Sequence, residues 1–577
     1  MARDETEDDW VSRLADEVIA ASERRAPGKP VVVASGLSPS GPIHLGNLRE
    51  VMTPHLVADE VRRRGVECVH ILSWDDYDRF RRVPAGIDPS WARHIGKPLT
   101  SVPAPDGSRY ANWAEHFKAP MLDAAGRLGI EFQGISQTDR YTSGAYGEQV
   151  LLAMRDRKRI DAVLARHRTK PRADALLPGR PGQLSEAETL AARTAAEGSG
   201  AATEDDGATG GEYFPYKPYC AVCERDFTTV TGYDDDTTAL TYICECGHTE
   251  TVELSTHHRG KLVWKVDWPM RWAYEGVIFE PSGVDHQSPG SSFVVGAELV
   301  REVFGGEQPI GPMYAFVGIS GMAKMSSSKG SAPTPADALE IMEPQVLRWL
   351  YARRRPQQSF TIAFDQEIYR LYDEWDALGR KVVEGTAAPS HATAFARAVG
   401  TVAGPLASTP VPLPYRTLAS IVDITTGDAV QVLRILSDLD PENNPVDSLD
   451  DVRPRLNCAQ TWVMTQMSVD QRTFVRDEPD TRLLATLSAT ERDSVTLLLD
   501  RLDGYWSLQG LTTLVYAIPK LQAGLEMDAE PTPELKAAQR RFFALLYTLL
   551  VGRDTGPRLP TLLLAIGSAR VRALLGG

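Results

Sequence analysis

Residues 30–47 read PVVVASGLSPSGPIHLGN, and the fold of the first part of the chain follows from this stretch. Its β-branched start is typical of a buried parallel strand, and the turn rich in glycine and serine predicts the end of that strand. A helix is expected to run from His44 or Asn47 to Arg64. Residues 66–72 then predict a second strand, so the chain opens with a βαβ unit.

Polar residues follow both predicted strands. Ligands of open parallel sheets bind beyond the carboxyl ends of the strands, where the first turn and residues 75–78 both lie. In the turn, His44 and Asn47 offer hydrogen-bond donors, and Gly46 would let a nucleotide lie close to the backbone at a helix N-terminus. A histidine in such a turn is more often an ordinary solvated loop residue, so the motif needs a partner elsewhere in the chain.

The composition excludes several classes of protein. A length of 577 residues predicts roughly four domains. The 62 Lys+Arg against 77 Asp+Glu give a net charge of −15, which argues against coating nucleic acid through bulk positive charge. The acidic start lacks a secretory signal and no apolar run is long enough to span a membrane, so we expect a cytoplasmic protein without a membrane partner. Residues 195–211 predict a disordered insertion.

A second loop, KMSSSKG at residues 324–330, places two lysines around three serines. Lysine charge, serine hydroxyls and backbone N–H groups together can hold a polyphosphate, although a mobile surface loop is the ordinary alternative. The usual nucleotide loops GxxxxGK[ST] and GxGxxG are missing from the sequence. The two unusual loops therefore predict nucleotide binding only when they are taken together.

Four of the six cysteines form two close pairs, Cys220 with Cys223 and Cys244 with Cys246, separated by twenty residues. Two such pairs can close a tetrahedral structural zinc site. His248 in place of Cys246 is an alternative ligand, and a set of buried or redox cysteines without metal is the alternative to the site itself.

The pair PIHLGN and KMSSSKG resembles the HIGH and KMSKS signatures of class I aminoacyl-tRNA synthetases. The longer stretches SGLSPSGPIHLGN, SWDDYDRFRRVP, KLVWKVDWPMRWAYEGVIFEPSGVDHQSPGSSF and GMAKMSSSKG resemble the class I lysyl-tRNA synthetase family over about residues 30–355. The resemblance implies an α/β fold: a Rossmann-type parallel-sheet catalytic domain (1–210 and 259–310), a zinc-binding insertion (212–258), a KMSKS loop with a connecting stem-contact segment (311–360) and an all-α anticodon-binding domain (361–577).

The resemblance also implies a function and a site. It implies a monomer that ligates L-lysine to tRNA-Lys with ATP and Mg²⁺ and that holds a structural Zn²⁺. Implied catalytic residues are His44, Asn47 and Lys324. Implied ATP-binding residues are Pro39, Ser40, Gly41, His44, Gly46, Asn47, Lys324, Met325, Ser326, Ser327, Ser328 and Lys329. Implied lysine-binding residues are Gly36, Ser38, Asp75, Asp76, Trp264 and His286. Because Asn47 and Ser327 depart from the HIGH and KMSKS patterns, the choice between Lys324 and Lys329 as the main ATP contact stays open.

The charges predicted around the site favour lysine over glutamate as the substrate. A glutamyl enzyme should place an arginine in the first strand to bind the substrate carboxylate, yet residues 31–41 contain no basic residue. The acids Asp75, Asp76 and Asp78 would instead suit an ammonium, although solvated, helix-capping or magnesium-associated acids are the alternative.

Three other functions stay open: a class I synthetase for another amino acid such as glutamate or glutamine, a small-molecule nucleotidyltransferase, and a zinc-containing tRNA-binding protein with an inactive catalytic domain.

Two further groups of residues have ordinary structural alternatives to a functional role. Trp264, Trp268 and Trp272 recur every fourth residue and could be core packing instead of a pocket wall. A basic cluster is expected either to meet tRNA phosphates or to be solvated: Arg348, Arg353, Arg354 and Arg355.

Overall fold

The computed structural model describes residues 9–84, 86–167, 212–320, 332–440 and 444–576. The chain forms two compact units. The first comprises Met1–Ala338, Pro344–Ile362 and Lys381–Leu406, and the second comprises Leu339–Glu343, Ala363–Arg380 and Ala407–Gly577. The predicted insertion at 195–211 and the whole KMSSSKG loop lie outside the described residues.

A parallel sheet forms the centre of the first unit. Strand β1 (Val31–Leu37) pairs in parallel with β2 (Cys68–Trp74), which pairs in parallel with β3 (Gln133–Ser136). On the other side of β1, Phe279 forms one parallel bridge with Val33 and another with Ile310. All of these segments therefore end at one edge of the sheet, as the βαβ prediction requires.

Helices surround this sheet because each carries one apolar face. A short 3-10 turn at Leu45–Asn47 leads into α2, whose side towards the sheet is fully buried. The predicted helix is confirmed, and Pro54 lies inside it without ending it. The helices up to the insertion are α1 (Trp10–Arg25), α2 (Leu48–Arg63), α3 (Trp113–Arg127), α4 (Gln137–Thr142), α5 (Gly147–Arg155) and α6 (Arg157–His167).

The cysteine-bearing segment is a small antiparallel β structure. Its strands are β4 (Tyr216–Pro218), β5 (Thr228–Tyr233), β6 (Ala239–Cys244), β7 (Thr249–Glu253) and β8 (Gly260–Leu262). Strands β5, β6 and β7 form a meander, and β4 pairs with β8 where the chain enters and leaves the segment.

The chain then returns to the first unit. Its elements are α7 (Trp264–Glu275), β9 (Ser282–Gly283), α8 (Ser292–Glu302), β10 (Met313–Tyr314), β11 (Val317–Ser320), α9 (Pro335–Ile341), α10 (Pro344–Ala352) and β12 (Phe360–Ala363). Strand β9 pairs in parallel with β10, and β11 pairs with β12.

The remaining elements are mainly helical, in agreement with the predicted character of the C-terminal part. They are α11 (Glu367–Val383), α12 (Pro389–Val399), β13 (Gly400–Thr401), β14 (Gly404–Pro405), α13 (Tyr415–Thr425), α14 (Ala429–Leu439), α15 (Arg455–Thr465), α16 (Thr481–Thr486), α17 (Ala489–Arg501), α18 (Leu508–Gln522), α19 (Pro533–Val551), α20 (Leu559–Ile566) and α21 (Ser568–Leu574). No helix within the described ranges combines the length and the apolar character that crossing a membrane requires.

The predicted start of the helical part at residue 361 differs from the structure. Helix α12 and the β13–β14 hairpin belong to the first unit, where the Arg397 guanidinium donates to Glu60 at 2.6 Å and also contacts Asp9. Helical periodicity shows that α12 is a helix, but only these long-range ion pairs show where it packs.

Candidate active site

The first turn after β1 is held by residues on both sides. The Trp113 indole donates to the Ser40 carbonyl at 3.2 Å, and Ile43 and Leu45 are buried beneath the turn. A Cβ atom at Gly46 would lie 3.0 Å from two ring atoms of His44, so glycine makes room for the imidazole. Burial lowers the pKa of His44, which therefore stands in the site as a neutral hydrogen-bonding group at neutral pH.

The described segments on either side of the second predicted nucleotide loop contact the turn that carries His44. The Leu45 amide donates to the Pro333 carbonyl at 2.6 Å, and β11, which ends at Ser320, also contacts the Leu45–Asn47 turn. Residues 321–331, which carry Lys324 and the other predicted loop residues to Lys329, lie outside the described residues. The segments on both sides of that loop thus meet the His44 turn, although about 280 residues separate the two motifs along the chain.

The three aspartates after β2 already have resident cations. Asp75 accepts from Arg271 at 2.6 Å, Asp76 accepts from Lys118 at 2.7 Å, and Asp78 contacts Lys261. Asp76 is fully buried and accepts further bonds from the Thr138 amide and hydroxyl. Neither predicted lysine-binding aspartate is therefore an uncompensated charge, and the role of Asp75 and Asp76 in binding an ammonium stays a prediction.

Two glutamates that the sequence analysis missed lie at the same edge of the sheet. Glu50, in the first turn of α2, accepts a hydrogen bond from the Tyr314 hydroxyl. Glu280 directly follows the bridge residue Phe279 and accepts from the Trp272 indole at 2.6 Å. Within the described ranges, no lysine, arginine or histidine forms an ion pair with either glutamate. An acidic residue one helical turn after the HxGN motif was the available signal for Glu50.

Burial shifts both carboxyl groups towards their protonated forms. Burial raises the pKa of Glu50 to about 8, with further raising by the neighbouring Glu280, Asp285 and Asp75 and opposition from the Tyr314 hydrogen bond. Burial likewise raises the pKa of Glu280 to about 7 against the indole bonds that it accepts. The site therefore gathers several acidic groups whose pKa values are raised by burial, Asp75 with its Arg271 partner included.

An aromatic wall stands beside these acids. Trp264 stacks on Trp268 with ring centroids 5.2 Å apart, and His286 meets Trp268 in an edge-to-face arrangement with centroids 5.5 Å apart. Trp268 and Trp272 are buried and pack on Phe293, as core residues do. Trp264 and His286 are half-buried, so these two predicted residues keep surface for a ligand.

Gly36 and Ser38 lie where β1 ends. Gly36 is paired in register with Ser73 of β2, and Ser38 is exposed just beyond the strand. Both therefore stand at the carboxyl edge of the sheet, as predicted from the strand pattern.

Arg49 anchors the loops that carry Tyr314. Its buried guanidinium donates to the Ala315 carbonyl at 2.8 Å and to the Arg355 carbonyl at 2.9 Å, and it lies over the Phe360 ring. Burial lowers the pKa of Arg49 to about 10, and the group remains charged at neutral pH. The first turn of α2 thus positions both Glu50 and the segment that bonds it.

The four clustered cysteines converge. The sulfurs of Cys220 and Cys246 are 3.7 Å apart, those of Cys223 and Cys244 are 3.6 Å apart, and all four lie within 4.8 Å of one another. Four thiolates at about 2.3 Å from a tetrahedral zinc ion would stand about 3.8 Å apart, so the spacing fits this metal. The alternative ligand His248 lies outside the sulfur cluster and is 3.5 Å from Glu250.

The predicted basic cluster is wrong for Arg348. That side chain is fully buried and donates to the Leu128 and Arg397 carbonyls, each at 2.8 Å, with His55 at 3.1 Å. The amphipathic pattern of α10 could not show that the arginine faces inward. Arg354 and Arg355 are exposed, and Arg353 lies 3.7 Å over the Trp349 ring.

The family described as tRNA synthetases class I (K) matches residues 8–402. A lysine–tRNA ligase of Streptomyces coelicolor is 69% identical over 98% of both chains, and one of Treponema pallidum is 30% identical over 98% of both chains. The match to a solved glutamate tRNA ligase from Elizabethkingia meningosepticum covers 95% of this chain and 99% of that chain, with 13% sequence identity and a TM-score of 0.38.

Proposed function

The chain belongs to the class I tRNA synthetases of the lysine type, and we propose that its sheet-edge site activates L-lysine with ATP and passes it to tRNA-Lys. Lysine–tRNA ligation is the reaction that the family match and the 69% identical relative support.

The observation that carries the choice of substrate is the pair Glu50 and Glu280. Glu280 is buried and Glu50 is half-buried, and neither forms an ion pair with a cation among the described residues, so the two suit a ligand that brings its own positive charge. We assign the lysine side-chain ammonium to Glu50 and the Tyr314 hydroxyl, with Glu280 as the neighbouring acid. Trp264 and His286 would flank the aliphatic stem, and Gly36 and Ser38 would contact the α-carbon end. Asp75 and Asp76 position this edge through Arg271 and Lys118.

In the first step the lysine carboxylate attacks the α-phosphorus of ATP, and pyrophosphate leaves. The carboxylate is already ionised at neutral pH, so no general base is required. His44 and Asn47 would donate to the phosphates while negative charge shifts towards the leaving group. The backbone of Pro39, Ser40, Gly41 and Gly46 would form the surface against which the nucleotide lies. Mg²⁺ bound with ATP supplies charge neutralisation.

The KMSSSKG loop supplies the remaining ATP contacts in this proposal: Lys324, Met325, Ser326, Ser327, Ser328 and Lys329. Support comes from Pro333, which follows the loop in the sequence and whose carbonyl accepts a hydrogen bond from the Leu45 amide next to His44. Either Lys324 or Lys329 could then reach the phosphates.

In the second step the 2′-hydroxyl of the terminal adenosine of tRNA attacks the carbonyl carbon of lysyl-adenylate, an ester bond forms and AMP leaves. We assign the anticodon end of tRNA to the helical second unit, on the resemblance alone. A monomeric, cytoplasmic enzyme remains our expectation.

We propose that Cys220, Cys223, Cys244 and Cys246 hold one structural zinc ion. The sulfur spacing and the closed set of four thiols fit that ion, and no ligand position remains for a substrate. Zinc would supply cross-linking between the two cysteine turns and no reaction chemistry.

The decisive experiment is amino-acid-dependent exchange between ATP and pyrophosphate in the presence of tRNA-Lys, with lysine, arginine, glutamate and glutamine compared. Exchange with lysine alone is expected. Exchange with glutamate or glutamine would favour another class I specificity, and tRNA binding with no exchange for any amino acid would favour an inactive catalytic domain. Either of these results would overturn the proposal.

A further inference from the structure

The cysteine-bearing segment reaches the candidate site next to the point where β4 pairs with β8. Tyr219 directly follows β4 and directly precedes Cys220. Its hydroxyl donates to the Tyr77 carbonyl at 2.6 Å, a bond between residues 142 positions apart. Tyr77 stands between Asp76 and Asp78 in the sequence, so this hydrogen bond ends among the three aspartates that follow β2.

Water has little access to either partner of this bond. Tyr219 is 5% exposed and Tyr77 is 4% exposed, and their ring centroids lie 5.1 Å apart. Tyr141 also stacks on the Tyr77 ring, with centroids 5.8 Å apart. A buried carbonyl that lost its donor here would gain no bond from solvent in return. The Tyr219 hydroxyl therefore stabilises one position of the Tyr77 backbone.

A second route joins the cysteine-bearing segment to the same aspartates. The Asp226 amide donates to the Gly96 carbonyl at 2.9 Å, and the Gly96 amide donates to the Phe80 carbonyl at 2.9 Å. The Leu99 amide then donates to the Asp78 carbonyl, also at 2.9 Å. Two separate routes therefore connect the cysteine-bearing segment to the backbone after β2.

The charge of the cysteine-bearing segment argues against RNA binding on its own surface. Residues 212–258 contain two Lys or Arg against nine Asp or Glu, and most of these acids are exposed. Proteins bind RNA phosphates through lysine and arginine, so such a surface would repel them. The buried contacts of the segment point instead to a role in the amino-acid site.

We propose that Tyr219 is a positioning residue for lysine binding, because its hydroxyl holds the backbone that carries the three aspartates. The Asp75 amide donates to the Leu37 carbonyl at 2.9 Å, so that backbone in turn supports the end of β1. Gly36 and Ser38, which we assign to the lysine pocket, flank Leu37. Loss of the Tyr219 hydroxyl therefore loosens the pocket without removing a group that contacts lysine. The inference rests on the proposed function and adds a residue to its binding step.

The cysteine cluster joins this set of contacts through Cys220. The Cys220 amide donates to the Arg225 carbonyl at 2.9 Å, so the backbone next to Tyr219 belongs to the turn of the first cysteine pair. The four sulfurs would restrict that backbone further when they hold zinc, and Tyr219 would transmit the restriction to the Tyr77 carbonyl. Removal of zinc should therefore loosen the same backbone that loss of the hydroxyl loosens.

The test is Tyr219→Phe in the full chain, assayed by lysine-dependent exchange between ATP and pyrophosphate with tRNA-Lys present. The KM for lysine should rise about five- to tenfold, because a buried carbonyl loses its donor, whereas the KM for ATP and the Kd for tRNA-Lys should change less than about twofold. The matched control is Tyr216→Phe, since the Tyr216 hydroxyl is buried without a hydrogen-bond partner among the described residues, and its loss should leave the KM for lysine unchanged. Zinc analysis and thermal melting show whether each variant keeps its metal and its fold.

A second measurement uses the original chain and requires no variant. Amide hydrogen–deuterium exchange is followed before and after a chelator removes zinc, and the amides of Asp78 and Phe80 should exchange about tenfold faster after removal. An unchanged KM for lysine in a folded Tyr219→Phe chain that keeps its zinc would overturn the inference and leave the proposed function standing. Unchanged deuterium exchange at both amides would overturn it equally. Absence of lysine-dependent pyrophosphate exchange by the original chain would overturn both the inference and the proposed function.

Discussion

Removing the charge of Glu50 should damage lysine selection more than any other single change in the site. Loss of one partner from a buried ion pair costs about 3–5 kcal/mol. Part of that is offset, because a carboxyl with a pKa of about 8 must first lose a proton at pH 7, which costs about 1.4 kcal/mol. The expected net loss for Glu50→Gln is about 2–4 kcal/mol, or roughly 30- to 900-fold in kcat/KM for lysine.

The structure also predicts how much of this loss in kcat/KM should come from Tyr314, which donates a hydrogen bond to Glu50. Tyr314→Phe removes one hydrogen bond to the carboxylate and leaves the charge, so about 1.5–3 kcal/mol should be lost. Because both changes act on one contact, the double variant should lose less than the sum of the single losses.

The assay is lysine-dependent exchange between ATP and pyrophosphate with tRNA-Lys present, across lysine concentrations at pH 7. Glu115→Gln provides the matched control, since that half-exposed acid supports Lys118 from outside the site and its loss should change kcat/KM less than threefold. Thermal melting of each variant shows whether the fold is kept. A folded Glu50→Gln protein with kcat/KM within threefold of the original chain would refute the assignment of the ammonium.

Four further outcomes are expected. His44→Ala should keep the melting temperature and slow exchange by about 10²-fold or more, as loss of a transition-state donor does, and near-normal exchange would contradict its role. The purified chain should contain one zinc per molecule, and replacing Cys220 and Cys223 with serine should abolish that zinc in metal analysis; a zinc-free original chain would show that the site is wrong. Arg348→Met should lower stability by about 2–4 kcal/mol in denaturant titration, because two carbonyls lose their donor, and should leave the Kd for tRNA unchanged; a weaker Kd at full stability would contradict its burial. Because the pKa of Glu50 is raised to about 8 in the folded chain, its protonated carboxyl stabilises the fold fully below about pH 4.5, and this stabilisation is lost as pH rises through about 8. The rise in Tm produced by saturating lysine should therefore be larger at pH 8 than at pH 6. An equal rise at both pH values would contradict the coupling between lysine binding and the ionisation of Glu50.

Local patterns in the sequence were enough for the first strand, turn and helix. The strand that ends at Leu37 and the helix that ends at Arg63 lie close to their predicted bounds. The spacing of the four cysteines likewise predicted a cluster, and their sulfurs converge. In each case the information is local: periodicity, turn residues and short ligand spacing act within a few residues of one another.

The charges of the site could not be predicted in the same way. Asp76 looked available in the sequence, yet Lys118 reaches it from α3, and Arg348 looked exposed, yet it faces inward from α10. Such pairings join residues far apart in the chain, and no pattern along one element indicates which charge on another element will meet it.

The motif pair predicted the family and its nucleotide chemistry from the sequence alone, and the absence of a basic residue in the first strand favoured a cationic substrate. Tertiary packing then selected which acids are left without a cation, because a charge is compensated by whatever the fold brings within a few ångströms of it. Arg271 and Lys118 neutralise the aspartates that the sequence singled out. Glu50 and Glu280 form no such ion pair among the described residues, which is why we propose them for the lysine ammonium, and this distinction exists only in three dimensions.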